Sequence, residues 1–449
     1  MNIIMDVFNF FINAGATVML PVIITIIGLI FGLKLQKAFQ SGLTLAIGFA
    51  GIKLILDYMT SNIGPAAKAM VERTGVQLDA LDVGWGSIAA VTWASPIIAV
   101  LIFSILLINV AMLVLKVTNT MDVDIWNYHH MAIVGVMVYF VTKNIFLGVG
   151  ASAAMAVITF KFSDWSQGMV EEFFGIPGVS LPTVSALSSL VIAWPMNWLL
   201  DKIPFIKNST FSIKDAQKYL GFFGDQMIMG GIIGLAIGLL AGYDLTAILQ
   251  LGVSMSAVLV LIPKMTALFM EGLMPISDAA QKWSQKRLKG RKVFIGLDAA
   301  VVVGNQDVIT TALIIIPLTI AMALVLPGNR VLPFADLAVV PFRVAMVVAL
   351  TRGNLLKNII IGLVVTASLL WCGSATAPVL TSIAQSVGIE LGTSTILISS
   401  FAATAMVQSY LVFLAFTAKP VIGIPLLMFG FGVYWFFIEK SVSRNQKTI

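Results

Sequence analysis

The chain has 449 residues, of which 59% are hydrophobic and 11% charged, less than half the charged share of about 25% usual in a soluble domain. With a mean hydropathy of +0.99, much of its surface must have the bilayer as solvent, which excludes an ordinary soluble fold. The 27 basic and 21 acidic residues give a net charge of +6, but they sit between apolar stretches and act on topology rather than forming a nucleic-acid patch. The single cysteine, Cys372, excludes an intramolecular disulfide framework and a cysteine-based metal cluster. Its apolar surroundings make it a small buried hydrophobe.

A spanning helix needs about 20 mostly apolar residues. Spans are expected at 16–33, 41–59, 94–116, 128–142 and 145–162, followed by an apolar stretch at 178–200 that Pro, Gly, Ser and Thr interrupt. Further spans are expected at 226–242, 246–263, 309–326, 335–350 and 355–372, then a second interrupted stretch at 388–416 and a last span at 418–438. The first apolar stretch has no basic segment before it and no small-residue cleavage site after it, so it is a retained span. Irregular backbone at membrane depth survives only where protein or a cavity covers it, which marks 178–200 and 388–416 as re-entrant or broken elements near a binding site.

The eleven spans take their orientation from the basic residues. Lys264, Lys282, Lys286, Arg287, Lys289, Arg291 and Lys292 cluster in 264–292, Lys202, Lys207, Lys214 and Lys218 in 201–218, and Lys440, Arg444 and Lys447 in the tail, whereas 373–394 and the first fifteen residues have none. An outside N-terminus and an inside C-terminus put every basic-rich segment in the cytoplasm.

The two halves repeat. The segment Ile27 to Gly32 resembles Ile233 to Gly238, Pro65 answers to Pro275, Leu81 and Asp82 to Leu297 and Asp298, Asp124 to Asp336, Lys143 to Gly148 to Lys357 to Gly362, and Gly178 to Gly388. The offset stays between about 206 and 216 throughout. Five spans per copy is an odd number, so the second copy (226–416) is expected upside down relative to the first (16–200), with 417–449 as an added span and tail. Inverted repeats are the architecture of alternating-access transporters, with substrate held near the midplane between discontinuous elements. The expected fold is therefore an all-α integral membrane protein forming one polytopic domain over 1–449.

Polar residues among such spans are functional candidates, because an ionised side chain at the bilayer centre costs at least about 2.5–3.5 kcal/mol. One cluster runs from Asp122 through Asp124, Trp126 and Asn127 to His129 and His130. Either Asp124 caps a helix there, or the set hydrogen-bonds substrate hydroxyls with Trp126 as a stacking face. A second cluster, Asp298 with Asn305, Gln306 and Asp307, interrupts an apolar stretch between Gly296 and the eighth span. Its carboxylates suit paired polyol hydroxyls, and Asp298 alternatively caps a half-helix. The counterpart in the first half holds Asp82 and Trp85, the latter a stacking face or an interfacial anchor. The broken elements add Thr183 and, as the one charge in 373–394, Glu390. No GxxxxGK[ST] segment is present, so ATP is not the energy source on this chain.

Several segments are similar to the galactitol family of phosphotransferase enzyme IIC: Ser61 to Met70, Asp82 to Trp85, Asn109 to Met112, Val123 to Asn127 with His130, Ala241 to Asp244, Ile295 to Asp298, Pro327 to Asn329, Leu332 to Leu337 and Arg352 to Leu355. They fall in order along nearly the whole chain. The resemblance implies a homodimer of eleven-span protomers, each with a core domain and a V-shaped dimerisation domain, as in the ascorbate permeases of the same superfamily. It also implies that cytoplasmic IIA and IIB subunits carry the phosphoryl chemistry, and that this chain binds, orients and translocates a polyol or sugar without a cofactor of its own. The family positions matched here are Asp124, Asn127, His130 and Asp298. The chain departs from the galactitol pattern at Thr183 and Asn305, where the family has histidine, which leaves the identity of the polyol or sugar open. The basic segments 201–218 and 264–292 are the candidates for docking IIB. The alternatives are an ion-coupled secondary transporter, in which Asp298, His130 or Asp124 titrates, and a membrane-embedded enzyme using the His–Asp set.

Overall fold

The computed structural model describes residues 16–74, 78–122, 125–207, 226–287, 293–389 and 396–445. Two long helical hairpins open the two halves of the chain. In the first, α1 (Ala16–Ile30) turns into α2 (Leu35–Thr74) past Gly32; in the second, α10 (Gln226–Ala241) turns into α11 (Leu245–Arg287) past Gly242. Both glycines have positive φ, +85° and +77°, a conformation open to glycine at no steric cost. The two hairpins pack on each other chiefly through α2 and α11. Small residues allow the close approach: between the hairpins a Cβ on Gly272 would stand 2.8 Å from the Ser41 carbonyl oxygen, and within the first hairpin one on Gly42 would stand 2.6 Å from that of Pro21. Helices in lipid associate through such van der Waals fit, having no hydrophobic force between them.

The rest of the first half runs β1 (Ala80–Asp82), α3 (Trp85–Trp93), α4 (Ile98–Val114), β2 (Thr120–Asp122), a 3-10 turn (Ile125–Asn127), α5 (Tyr128–Thr142), α6 (Ile145–Phe174), β3 (Val179–Ser180), α7 (Val184–Leu187), α8 (Leu190–Leu200) and α9 (Pro204–Lys207). The second half follows a similar order. It runs β4 (Phe294–Gly296), a 3-10 turn (Ala299–Val301), α12 (Gln306–Val325), β5 (Val331–Leu332), a 3-10 turn (Ala335–Val339), α13 (Val340–Leu350), α14 (Leu355–Ser386), β6 (Leu397–Ser399) and α15 (Val407–Thr417), before the outer helix α16 (Pro420–Asn445).

Among the described residues, six short strands correct the all-helical expectation. They form two parallel sheets, one in the order β5-β1-β6 and the other β2-β4-β3. Ala80 pairs with Val331 and Leu397, and Ile295 pairs with Met121 and Val179. Each half thus supplies the central strand of one sheet and both outer strands of the other, which ties the halves together at two crossings. Strands of two or three residues are too short to leave a period-two pattern, so hydropathy reads through them. Asn109 anchors β2: its Nδ2 donates to the Thr120 carbonyl at 3.0 Å and its Oδ1 accepts from the Asp122 N–H at 3.1 Å.

Among the described residues, five helices are long and apolar enough to cross a membrane: Ile145–Phe174, Leu245–Ile262, Gln306–Val325, Leu355–Ser386 and Pro420–Lys440. The pair α3 and α4 makes a sixth if taken as one span, but it bends by 103°. Tyr128–Thr142, Val184–Leu200, Gly230–Ala241 and Val407–Thr417 are apolar and shorter. The stretches 178–200 and 388–416 are indeed broken, the first into β3, α7 and α8, the second into β6, a turn and α15. On α16, Val421, Leu426 and Phe429 are largely exposed, as a lipid-facing helix requires.

Candidate functional site

Asp82 and Asp336 form the centre of the structure's main polar junction, each capping a helical turn of the other half. At the end of β1, Asp82 is fully buried; its Oδ2 accepts from the Phe334 and Asp336 N–H groups at 3.0 and 2.9 Å, and its Oδ1 from Gly84 N–H at 3.2 Å. Asp336 is 1% exposed; its Oδ1 accepts from Trp85 N–H at 2.8 Å, at the start of α3, and its Oδ2 from the Ser400 hydroxyl at 2.7 Å and Ala402 N–H at 3.0 Å. N-terminal N–H groups have no partner within their own helix, and a carboxylate is their best acceptor. Gly84 makes the junction possible. Its φ of +83° and ψ of 155° belong to glycine, and a Cβ there would meet the Ala335 Cβ at 2.8 Å.

A ring cluster stands beside the carboxylates. Trp85 packs edge-on against Trp126, with centroids 5.3 Å apart, and lies nearly parallel to His130 at 6.5 Å. His129 and His130 are 3.9 Å apart, and the His129 Nδ1 lies 2.6 Å from the Trp126 carbonyl oxygen. The 3-10 turn delivers Trp126 and Asn127, and α5 begins at once with Tyr128 and the histidines. Trp126, Asn127, His129 and His130 are all buried, whereas Trp85 is part-exposed. The turn after β6 reaches Asp336 through the Ser400 hydroxyl and the Ala402 N–H.

The break after β3 brings a third component. Ser185 and Ser188 line a small cavity with Asp336, Arg343, Phe401 and Ala402, so both broken stretches and both halves meet there. Arg343 is 7% exposed, with its guanidinium against the Phe401 ring at 5.8 Å.

The second acidic cluster is organised differently. Thr183 joins it to the broken element: its hydroxyl donates to Asp298 Oδ2 at 3.3 Å and accepts from Ala299 N–H at 2.8 Å, while Asp298 Oδ1 accepts from Ala300 N–H at 2.7 Å. Asp298 therefore caps the 3-10 turn, as one of its two readings had it. Asn305 is the N-cap of α12, accepting from Asp307 and Val308 N–H at 2.9 and 3.3 Å. Gln306 is exposed, and Asp307 turns toward Gly353 at the α13–α14 corner. Trp85, Asn127 and His130 thus come together, as do Thr183 and Asp298, while Asn305, Gln306 and Asp307 stand at a helix start. Asp124 and Glu390 lie outside the described residues, as do 208–218 and 288–292 of the two basic docking segments, whereas 264–287 belongs to α11.

Thr183→Val is expected to leave the buried Ala299 N–H without its acceptor, a loss of about 1–3 kcal/mol. It should appear as a lowered melting temperature in detergent that Thr183→Ser restores.

Sequence reasoning treated Asp336 as the counterpart of Asp124 and as part of the family-like segment Leu332 to Leu337, not as a site residue, and passed over Arg343. Both sit in a run of apolar residues, 331–350, and an isolated charge inside such a run was the available signal. Among the described residues, no group of three or more His, Cys, Asp or Glu is arranged to hold a metal.

Apolar helices of spanning length, others broken or bent, and a buried polar junction where the broken elements converge define a multi-pass membrane permease. The chain belongs to the EIIC-GAT family, described as the sugar-specific permease component of the phosphotransferase system (PTS), whose model matches residues 10–394. It is 39% identical over 383 residues, 85% of either chain, to the galactitol-specific PTS EIIC component of Escherichia coli K12. To a putative permease IIC component of the same strain it is 38% identical, over 85% of this chain and 88% of that protein. Its class and its apolar helices make it a multi-pass inner-membrane protein.

Proposed function

We propose that this chain is the translocating EIIC subunit for galactitol or a closely similar polyol. It would bind the substrate between its two halves and present it to a cytoplasmic IIB subunit, itself charged by IIA, for phosphorylation. The observation that carries the reading is the convergence of both broken stretches on one polar, aromatic-lined junction, supported by relatives named as galactitol-specific. The part-exposed Trp85 supplies a ring face for the carbon chain; Asn127, His130 and the Asp82–Asp336 pair sit behind it and hold it in place. Asp298 and Thr183 form a second, linked support. Asp124 and Glu390 remain candidates as the residues beside Trp126 and in the second broken stretch.

The parallel order of elements and the exchanged strands favour two inverted repeats, 16–200 and 226–416, that rock against each other to give alternating access. Taking α1, α2, α4, α5, α6, α10, α11, α12, α13, α14 and α16 as the crossings, with the broken elements left out, gives eleven spans, with the N-terminus outside and the C-terminus inside. The two long hairpins are the natural dimerisation domain of a homodimer, and the remainder is the transporting core.

Uptake of radiolabelled galactitol and a panel of polyols and sugars into membrane vesicles tests this, with and without IIA, IIB and a phosphoryl donor. The expected result is label recovered inside as a phosphate ester, and only with the partners present. Unmodified label accumulating along a proton or sodium gradient would instead establish an ion-coupled transporter.

A further inference from the structure

Arg343 is buried, yet among the described residues neither of its terminal nitrogens, Nη1 and Nη2, has a hydrogen-bond partner. A buried cation left so is destabilising by several kcal/mol unless something pairs with it. Asp336 is the obvious mate and acts on it electrostatically, but the ion pairs of the described residues do not include Arg343. The reason is geometric. Both oxygens of Asp336 are already directed at the N–H groups of Trp85 and Ala402 and the Ser400 hydroxyl, which holds the carboxylate off the guanidinium. Between them lies the small cavity that Ser185 and Ser188 also line.

A cation and a carboxylate kept apart across a space edged by hydroxyls select a particular chemistry. An anionic ligand would gain from Arg343 and be repelled by Asp336. An alcohol can accept from the guanidinium and donate to a carboxylate lone pair at the same time. The Phe401 ring supplies an apolar face for the carbon bearing it. The cavity has room for about one water-sized group, which suits the end of an open-chain molecule rather than a sugar ring.

We propose that Arg343, Asp336 and Ser185 form the subsite that seats one hydroxyl at the end of a neutral, open-chain polyol. This deepens the transport reading above and rests on it. Arg343 donates from its terminal nitrogens to the hydroxyl oxygen, and Asp336 accepts the hydroxyl proton, with the Ser185 hydroxyl at the edge of the same space. The subsite is a specificity element, because a ligand lacking the seated hydroxyl leaves the guanidinium unpaired again.

The test is equilibrium binding of galactitol and of its single-deoxy analogues to the purified full-length chain in detergent, comparing wild type with Arg343→Gln, Arg343→Lys and Ser185→Ala. Wild type is expected to bind the analogue lacking the seated hydroxyl at least about tenfold more weakly than galactitol. Arg343→Gln is expected to bind galactitol at least about tenfold more weakly and to have lost that discrimination, so that the two losses do not add. Arg343→Lys, a point charge without the fork, should recover only part of the affinity. Should Arg343→Gln fail to fold, Arg343→Lys and Ser185→Ala carry the same comparison. Wild-type affinity in these variants, or weakened binding with the deoxy discrimination intact, overturns the subsite and leaves the transport reading standing. A wild-type chain that binds no polyol of the panel overturns both.

Discussion

Asp336→Ala is expected to abolish polyol uptake and to lower the stability of the folded chain by on the order of 4 kcal/mol. Three donors lose their acceptor at once: the N–H groups of Trp85 and Ala402 and the hydroxyl of Ser400. Each buried donor left unpaired costs about 1–3 kcal/mol. The damage spreads, because Asp336 joins the start of α3 in the first half to the turn after β6 in the second. Asp82→Ala should behave alike, freeing the N–H groups of Phe334, Asp336 and Gly84. The double variant should cost less than the sum of the two, since each carboxylate caps the segment that carries the other. Asp336→Asn keeps one acceptor oxygen but turns an amide toward N–H or hydroxyl donors, so it should recover only part of the loss. Thermal unfolding in detergent, followed through tryptophan fluorescence, measures the first quantity and vesicle uptake the second. Wild-type melting in Asp336→Ala would show that the junction contributes little.

Trp85→Ala is expected to raise the KM for uptake about tenfold with a smaller change in kcat. Trp85 is the part-exposed member of its ring cluster, and its outer face is available to a carbon chain while Trp126 and His130 brace it at 5.3 and 6.5 Å. An aromatic contact contributes about 0.5–1.5 kcal/mol beyond area burial, and 1.4 kcal/mol is a factor of ten in affinity. Trp85→Phe retains a ring and should recover most of the loss. His130→Phe keeps a flat ring of similar size against Trp85, so its effect on KM should be smaller than that of Trp85→Ala. Equal KM in wild type and Trp85→Ala, with the melting temperature unchanged, would remove Trp85 from the binding surface.

Much of the architecture was legible in the chain. The expected span 128–142 coincides with α5, that at 145–162 begins where α6 begins, and both interrupted stretches are broken in the structure. These readings succeed because long apolar runs and their interruption by Pro, Gly, Ser and Thr are local properties. The four-residue offset between the expected span at 94–116 and the start of α4 at Ile98 has the opposite cause. Ala94 to Ile97 form the corner between α3 and α4, and hydropathy does not register the 103° bend made there.

The site was legible only in part. Clusters contiguous in sequence, such as Trp126 to His130, were visible because their polarity interrupts an apolar run. Asn305, Gln306 and Asp307 raised the same signal, yet Asn305 serves as a helix cap, since capping and binding ask for the same residue types. The Asp82–Asp336 junction joins residues 254 positions apart, and Arg343 meets Ser185 and Phe401 only across the fold.

By itself, the sequence determined that the chain lives in a bilayer, where its helices lie and where they break, because those follow from the free energy of moving each residue from water into lipid. Only the tertiary structure decided which polar groups stand together. The exchanged strands draw both halves to one place, where a buried carboxylate must find its donors wherever the fold supplies them.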